Sequence, residues 1–440
     1  MGAPQTVPPP SVLVDIERLR VGMFIQLEMG WMNHPFPTSN FRISSAEQIQ
    51  VLRDLGVSQL RYVPSKSLVV DEGAPLASGD APLPVVDEPS QPTSVQRDVE
   101  AEAPGVALSF ADHHEVVQAR CRARFNQAAS LYAEVAQTVD SAPVAARAQV
   151  EALARADVAE LLQSENYSVH LLTGITGQRQ GNHCVNVMVL SLLLGRALGL
   201  GAQALEHLAV AGLLHDIGKI HLPAHIAQPG APLSASDRRV YEEHVIRSVA
   251  LAQRMGFGAE VLLAIGQHHE MADGSGYPRR VEAAQMSQFG KVLALVNRYD
   301  RLCNPLHGES SHTPHEALAR LFAQERKRFD ATTVLAAFIR LMGVYPPGSL
   351  VQLNDGRYAR VVASNSQSPL RPLVLPFVAG VARCDAQVID LGSNQEQGIR
   401  RSVKFDILSD EALEFFLPGQ QLCYFFDRVQ PADAAQEGVA

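Results

Sequence analysis

The sequence predicts a multidomain, mainly α protein in which a long helical core lies between a small α+β N-terminal domain and a β-rich C-terminal region. Three observations predict it. An acidic, proline-rich stretch interrupts the chain after residue 70, and the pattern from about Leu108 to Met342 is almost wholly helical. From Pro346 the apolar runs shorten and are separated by turn residues. At about 150 residues per domain, 440 residues suggest about three units. With 46% hydrophobic and 19% charged residues, the chain has the composition of a globular protein that can bury a core.

Taken in order, residues 1–10 read as a tail and 11–70 as the N-terminal domain. There Val12, Val14 and Ile16 alternate, and a run follows over Val21–Ile25. Ile49, Leu52 and Leu55 recur at helical spacing within Ser45–Leu55, with Ser44 or Ser45 as its start and Gly56 as its end. Leu60–Val63 then reads as a closing strand. Residues 71–107 read as a linker. Asp71–Gly105 holds eight acidic residues against one arginine, so seven of the nine net negative charges lie there, together with six prolines. Such a stretch cannot bury enough apolar surface to offset its ordering entropy. The net charge of −9 argues against nucleic acid as the main partner, and the parts outside the linker are near neutral.

Residues 108–345 read as the helical domain, punctuated by Gly199, Gly201, Pro223, Gly230, Gly256 and Gly274. Residues 346–430 read as β-rich, opening with apolar runs on either side of Asn354-Asp355-Gly356, a hairpin signal. Further runs follow at Leu373–Val378, Ala386–Leu391 and Val403–Ile407, and 431–440 reads as a second tail. No apolar run approaches the roughly 18 residues of a spanning helix, and no secretory signal is visible. Five cysteines without a CxxC pair suit reduced thiols, so the expected location is the cytoplasm.

The chemistry concentrates in the helical region. His215-Asp216-Ile217-Gly218-Lys219 ends an apolar helix, where adjacent His and Asp can both reach one metal site. Lys219, four residues after His215, points to the same side on a continuing helix, and its ammonium suits a phosphate oxygen rather than a metal. His183 opens the apolar stretch Cys184–Leu198, His244 follows Tyr241-Glu242-Glu243, and Gln267-His268-His269-Glu270 adds two imidazoles. A mixed imidazole and carboxylate set without Cys suits Fe, Mn, Ni or Zn and argues against a structural zinc. Glu270 and Asp273 read as hydrogen-bond partners of the ligand histidines and the loop amides or, less favoured, as a general acid. Arg120, Arg122 and Arg124 read as a solvated helix face, and His312 and His315 as residues of a Gly/Ser/Pro stretch without metal.

This region resembles the HD-GYP family, a branch of the HD metal-dependent phosphohydrolases. The carrying residues are His215-Asp216-Ile217-Gly218-Lys219 and the run from His268-His269-Glu270 through Asp273-Gly274-Ser275-Gly276-Tyr277-Pro278, intact over eleven positions. The first 70 residues, with Gly22-Met23, Trp31 and Phe36, look like the small domain of unknown function that often precedes HD-GYP in bacterial proteins. The resemblance implies a helical HD-type core that hydrolyses the bacterial second messenger cyclic di-GMP to pGpG and then GMP. It implies two divalent ions, Fe or Mn foremost, with Ni, Zn or Mg as alternatives. The implied ligands are His183, His215, Asp216, His244, His268 and His269, with Asp216 bridging and acting as a catalytic residue. Lys219 would hold the scissile phosphate, and Gly274, Gly276, Tyr277 and Pro278 would border the guanine. Implied partners are signalling proteins docked on the GYP loop or the N-terminal domain, and a second copy in a homodimer.

The departures are specific. Asn297 stands where the family carries an Asp ligand, Asp300 keeps the second Asp behind it, and Asn304-Pro305-Leu306-His307 replaces the usual R-P-Y. Val245 and Ser248 replace a Pro and a Gly, and Arg179 replaces a Glu seen in three-metal members. The alternative expectation is therefore a catalytically impaired HD-GYP protein that binds a cyclic dinucleotide or a protein partner.

Overall fold

A computed structural model describes residues 11–27, 40–43, 49, 52–53, 58–67, 110–164, 166–175, 177–306, 311–365, 368–394, 396–416 and 421–428. Both expected tails, the linker, Trp31, Phe36, His307 and most of the helix expected over 45–55 lie outside them. The chain divides into two compact units, Met1–Glu28 with Asn40–His113, and Met29–Ser39 with His114–Ala440.

In the first unit, β1 (Val12–Asp15), β2 (Phe24–Gln26), β3 (Asn40–Arg42) and β4 (Gln59–Tyr62) form an antiparallel sheet in the order β1-β4-β2-β3. Ile25, Ile43, Leu52, Leu60 and Val63 are buried and supply its core. The sequence reading contains no strand at β3, because three residues are too few to show alternation.

The second unit is built on helices α1 (Phe110–Thr138), α2 (Pro143–Leu161), α3 (Arg179–Ala197), α4 (Ala202–Leu214), the short α5 (Ala224–Ala227), α6 (Ala235–Arg254), α7 (Ala259–Gln267), α8 (Gln288–Cys303), α9 (Pro314–Ala323) and α10 (Val334–Met342). Every residue of α3 from Gly181 to Gly195 is buried. A helix that is apolar all round must be central, and α3 packs against α4, α8 and α10. His183 is thereby fixed at the start of the most enclosed helix. Among the described residues no helix is long and apolar enough to cross a membrane.

Two expectations about this unit are corrected. The helical region contains a strand, β5 (Tyr167–Leu172), where Tyr167, Val169 and Leu171 alternate within a run too short to stand out among helices. The division expected at 345/346 is crossed by hydrogen bonds. β5 joins a seven-stranded sheet with β6 (Leu350–Leu353), β7 (Tyr358–Ala363), β8 (Leu373–Pro376), β9 (Ile389–Asp390), β10 (Ile399–Val403) and β11 (Cys423–Arg428). Its partners are β11, in register from Leu172↔Cys423 to Tyr167↔Arg428, and β7 through His170↔Ala363. The hairpin at Asp355-Gly356 joins β6 to β7 as its turn chemistry requires. The run expected over Val403–Ile407 ends as a strand at Val403 and continues as a 3-10 turn over Phe405–Ile407, and that over Ala386–Leu391 shortens to β9.

The helix face of Arg120 and Arg124 is only partly solvated, with Arg120 exposed and Arg124 half-buried. Arg120 pairs with the buried Asp427. Arg124 reaches the buried Asp157 at 2.8 Å and lies over the Phe425 ring at 4.8 Å, tying α1 to α2 and β11. Their charged heads serve packed carboxylates because those carboxylates would otherwise be buried unpaired. His315 is a core histidine, its Nδ1 donating to the Val344 carbonyl at 2.7 Å.

Candidate metal centre

Helix α4 stops at Leu214. His215 keeps helical angles, Asp216 leaves them (φ −105°, ψ 5°), and a 3-10 turn follows over Ile217–His221. The change of direction lets two adjacent side chains enter one cluster. Asp216 then divides its two oxygens. Oδ2 lies 3.5 Å from Nε2 of both His183 and His215, and Oδ1 lies 3.1 Å from His244 Nε2 and 3.7 Å from His268 Nε2. His183, His215 and Asp216 form one group of mutually close ligand atoms, and Asp216, His244, His268 and His269 form another, each within 4.8 Å.

The outer nitrogens fix the tautomers. Nδ1 of His215 donates to the Gly212 carbonyl at 2.7 Å, Nδ1 of His268 to Ile265 at 2.6 Å, and Nδ1 of His244 to Tyr241. His183 Nδ1 donates to Asp300 Oδ2 at 2.6 Å. Carbonyl and carboxylate oxygens only accept, so each Nδ1 carries the proton and each Nε2 turns a lone pair inward. Those lone pairs face one another, His183 and His215 at 3.2 Å, His244 and His268 at 3.3 Å. Burial lowers the imidazoles of His215 and His269 well below their ordinary range and that of His244 to about 4, so they stay neutral at pH 7. Burial alone would raise the Asp216 carboxyl, but the Lys219 ammonium holds it well below the usual carboxylate range. Asp216 Oδ1, His269 Nε2 and Asn297 Oδ1 are buried without a hydrogen-bond partner. Acceptors facing acceptors in a buried pocket are costly alone and are satisfied by cations. The residues fit divalent ions.

Asn297 is buried on α8, one turn before Asp300 and Arg301, with Asn304 capping the end of the helix a turn further on. Asp300 is the hub behind His183. Its Oδ1 accepts from Asn186 and Asn304 at 2.8 and 2.9 Å. Both amides also donate to the Leu422 carbonyl, Asn304 Oδ1 accepts from the Leu422 N–H at 2.8 Å, and Asn186 Oδ1 from the Tyr424 N–H at 3.0 Å.

Lys219 is not on a continuing α-helix with His215. In the 3-10 turn it meets Asp216 three residues back, Nζ to Oδ2 at 2.5 Å, with a side chain only 4% exposed. The same oxygen accepts from Gln180 Nε2 at 3.0 Å and Arg301 at 3.1 Å. The sequence reading assigned no role to Gln180 or Arg301. Arg301 carried a signal in its position four residues after Asn297, on one helix face. Gly218 brings the turn against α6. A Cβ there would lie 2.4 Å from the His244 carbonyl oxygen and the Ser248 nitrogen, and its N–H donates to Ser248 Oγ at 2.8 Å. The serine that departs from the family pattern thus holds the turn that follows His215-Asp216.

The loop after His269 folds back on it. A Cβ on Gly276 would lie 2.4 Å from Met271 N and 2.5 Å from the His269 carbonyl oxygen, so the close return requires glycine. Tyr277 stacks on the His269 ring, centroids 4.5 Å apart and planes 22° apart. Gly274 has φ 73°, and Pro278 is exposed beyond it. Glu270 is not a free acid. Its carboxylate is fully buried and accepts from the backbone N–H of Arg279 at 2.6 Å and Val281 at 3.1 Å. Asp273 Oδ1 accepts from the Ser275 N–H and hydroxyl, a turn contact. Arg179 donates to the Pro305 carbonyl at 2.9 Å.

Comparison with known proteins agrees with this arrangement. An HD domain matches residues 151–333, a domain of unknown function (DUF3391) residues 11–152, and a KOW domain associated with HD domain residues 350–410. The cyclic di-GMP phosphodiesterase PA4108 of Pseudomonas aeruginosa is 29% identical over 385 residues, 86% of this chain and 88% of the relative. The cyclic di-GMP phosphodiesterase PdeB of Borreliella burgdorferi is 24% identical over 44% of this chain and 50% of its own length. The 3'3'-cGAMP-specific phosphodiesterase 1 of Vibrio cholerae is 33% identical over 29% of this chain and 30% of its own. With the histidine-aspartate cluster in place and the HD model spanning it, the chain carries an HD domain over residues 151–333, preceded by a DUF3391 domain.

Proposed function

We propose that this chain is a metal-dependent phosphodiesterase that hydrolyses cyclic di-GMP to pGpG and GMP in bacterial second-messenger signalling. One observation carries the reading: Asp216 turns one oxygen to His183 and His215 and the other to His244 and His268. That is the donor arrangement for two ions bridged by a carboxylate. His183 and His215 would hold one ion with Asp216 Oδ2. His244, His268 and His269 would hold the other with Oδ1, and the Asn297 amide oxygen would complete the set. Fe or Mn suits imidazole with carboxylate. Such a pair, when bound, supplies a nucleophile at neutral pH and stabilises the attacking and leaving oxygens.

The remaining residues bind and orient. Lys219, released from Asp216 when that carboxylate turns to metal, would place its ammonium on a phosphate oxygen. The Gly274–Pro278 loop presents the Tyr277 ring beside the cluster, an aromatic face suited to guanine. The substrate assignment draws on the relative named a cyclic di-GMP phosphodiesterase, which the chain matches over 88% of that relative's length. Four buried, unpaired thiols suit a reducing cytoplasm. Asp273, Ser275 and Pro278 leave the loop's outer side exposed, where a signalling partner or a second copy would dock.

The test is metal content and product analysis on the purified full chain, loaded with Mn²⁺ or Fe²⁺ and offered cyclic di-GMP and 3'3'-cGAMP separately. Formation of pGpG and GMP is expected, with about two ions per chain. The double variant His215→Ala with Asp216→Ala is expected to lose both metal and turnover. Full metal retention in that variant would remove the centre as drawn. Metal and cyclic di-GMP binding without any product would leave a binding module in place of the enzyme.

A further inference from the structure

Two cations converge on one carboxylate oxygen. Asp216 Oδ2 receives Lys219 Nζ at 2.5 Å and an Arg301 terminal nitrogen at 3.1 Å, with Gln180 Nε2 at 3.0 Å as a third donor. This is also the oxygen that faces His183 and His215. A metal ion on those imidazoles must therefore take an oxygen that Arg301 already holds. Among the described residues the carboxylates in contact with the cluster are Asp216 and Asp300, and the Asp300 oxygens are engaged by His183, Asn186 and Asn304. Arg301 is 16% exposed in its side chain. Once displaced, its guanidinium is a nearly enclosed charge beside a cationic centre and needs an anion. The anion that enters such a site is the phosphodiester, whose two free oxygens match the planar fork of a guanidinium.

We propose that Arg301 is a phosphate-binding residue held in reserve on Asp216 Oδ2, so that metal and phosphodiester are taken up as a coupled pair. Metal binding frees Arg301, and the phosphodiester satisfies it. Each ligand therefore tightens the other by the same factor. The arginine also stands in a segment that lacks the usual R-P-Y and where Asn297 brings no charge, so it restores a phosphate grip from a different position on α8. This rests on the metal phosphodiesterase reading given above.

The experiment measures Mn²⁺ affinity of the full-length apoprotein, from the spectrum of free Mn²⁺, without and with dimethyl phosphate, a diester too stable to turn over. In the wild type, dimethyl phosphate should tighten Mn²⁺ binding about tenfold. In Arg301→Gln, Mn²⁺ should bind about tenfold tighter than wild type without the diester, and the diester should change it less than about threefold. Arg301→Lys keeps a charge but not the fork and should show an intermediate coupling, and it carries the test if the glutamine variant does not fold. Weaker Mn²⁺ binding in Arg301→Gln would make Arg301 a structural support and overturn the proposal. Coupling equal to wild type in either variant would do the same. No cyclic dinucleotide is used, so coupling that survives alongside a failure to hydrolyse cyclic di-GMP would discard the substrate and keep Arg301. A wild type that binds no Mn²⁺ discards both.

Discussion

Asp300 accepts the Nδ1 proton of His183 at 2.6 Å, and the same carboxylate is tied through Asn186 and Asn304 to the backbone of Leu422, at the edge of the last described strand. A candidate metal ligand on the central helix is thus oriented by a segment from the far end of the unit. Ligand imidazoles depend on such outer contacts for tautomer and aim. Replacing Asn304 by Leu removes two hydrogen bonds to Leu422 and one to Asp300. The loss should be about 2–4 kcal/mol of stability in urea unfolding, from buried groups left unpaired. Metal affinity should fall at the His183 and His215 group more than at the His244 and His268 group, seen as one ion lost before the other in a chelator titration.

Restoring the carboxylate at Asn297 is expected to strengthen metal binding. The Asn297 amide oxygen is buried without a hydrogen-bond partner, on the helix face that carries Asp300 and Arg301. A carboxylate there adds a negative charge where divalent cations prefer anionic oxygen. In Asn297→Asp, metal retained through dialysis should rise, and turnover at limiting Mn²⁺ should rise about tenfold or more, the effect of a good charge contact at the reacting centre. Unchanged metal retention would place Asn297 outside the coordination set.

Gly218→Ala should be among the most damaging single-methyl changes in the chain. The added carbon would lie 2.4 Å from the His244 carbonyl oxygen and from the Ser248 nitrogen, both backbone atoms that cannot rotate away. Overpacking of this kind costs about 3 kcal/mol or more. Ser248→Ala, which removes only the acceptor for the Gly218 N–H, should cost about 1–2 kcal/mol. Thermal unfolding of the two apoproteins compares them, and the order should not reverse.

Buried thiols set an alkaline limit. Burial pushes Cys121 and Cys184 up to about 12. A thiol whose folded pKa is raised adds stability while the unfolded chain keeps its proton, below about pH 8.5. That stability is lost as pH climbs from there toward 12. In a Cys384→Ser background, the four remaining thiols, all buried, should react with a thiol reagent at pH 8 only after unfolding. Rapid reaction of one of them in the folded protein would show an opening of the core around it.

Much of the candidate metal centre is legible in the sequence because its residues sit in contiguous runs. His215-Asp216 and His268-His269 declare themselves by adjacency, and His183 and His244 by their place on apolar helices. The rest depended on what a linear reading cannot contain. Nothing around Leu422 announces a link to Asp300, since the contact spans more than a hundred residues and is made by backbone atoms. Asn186 did leave a trace, as a polar residue inside an apolar helix, and buried amides of that kind are there to satisfy other groups. Strand β5 was missed because six residues of alternation are easily absorbed into flanking helices, while its partner β11 lies at the other end of the unit. Lys219 was placed by helical spacing, and the helix ends five residues too early for that spacing to hold.

The pairing of β5 with β11 also bears on how the protein is made. Translation delivers His183, His215, His244, His268, His269 and Asp216 long before Leu422 and Tyr424 emerge from the ribosome. Until they do, Asn186 and Asn304 lack their backbone partners and β5 has an open edge. Contacts of such sequence separation form late. The nascent chain therefore carries every candidate ligand while the His183 side of the cluster is still loosely held. Prematurely terminated chains would share that state, with metal affinity reduced on one side and a strand edge free to pair with another molecule.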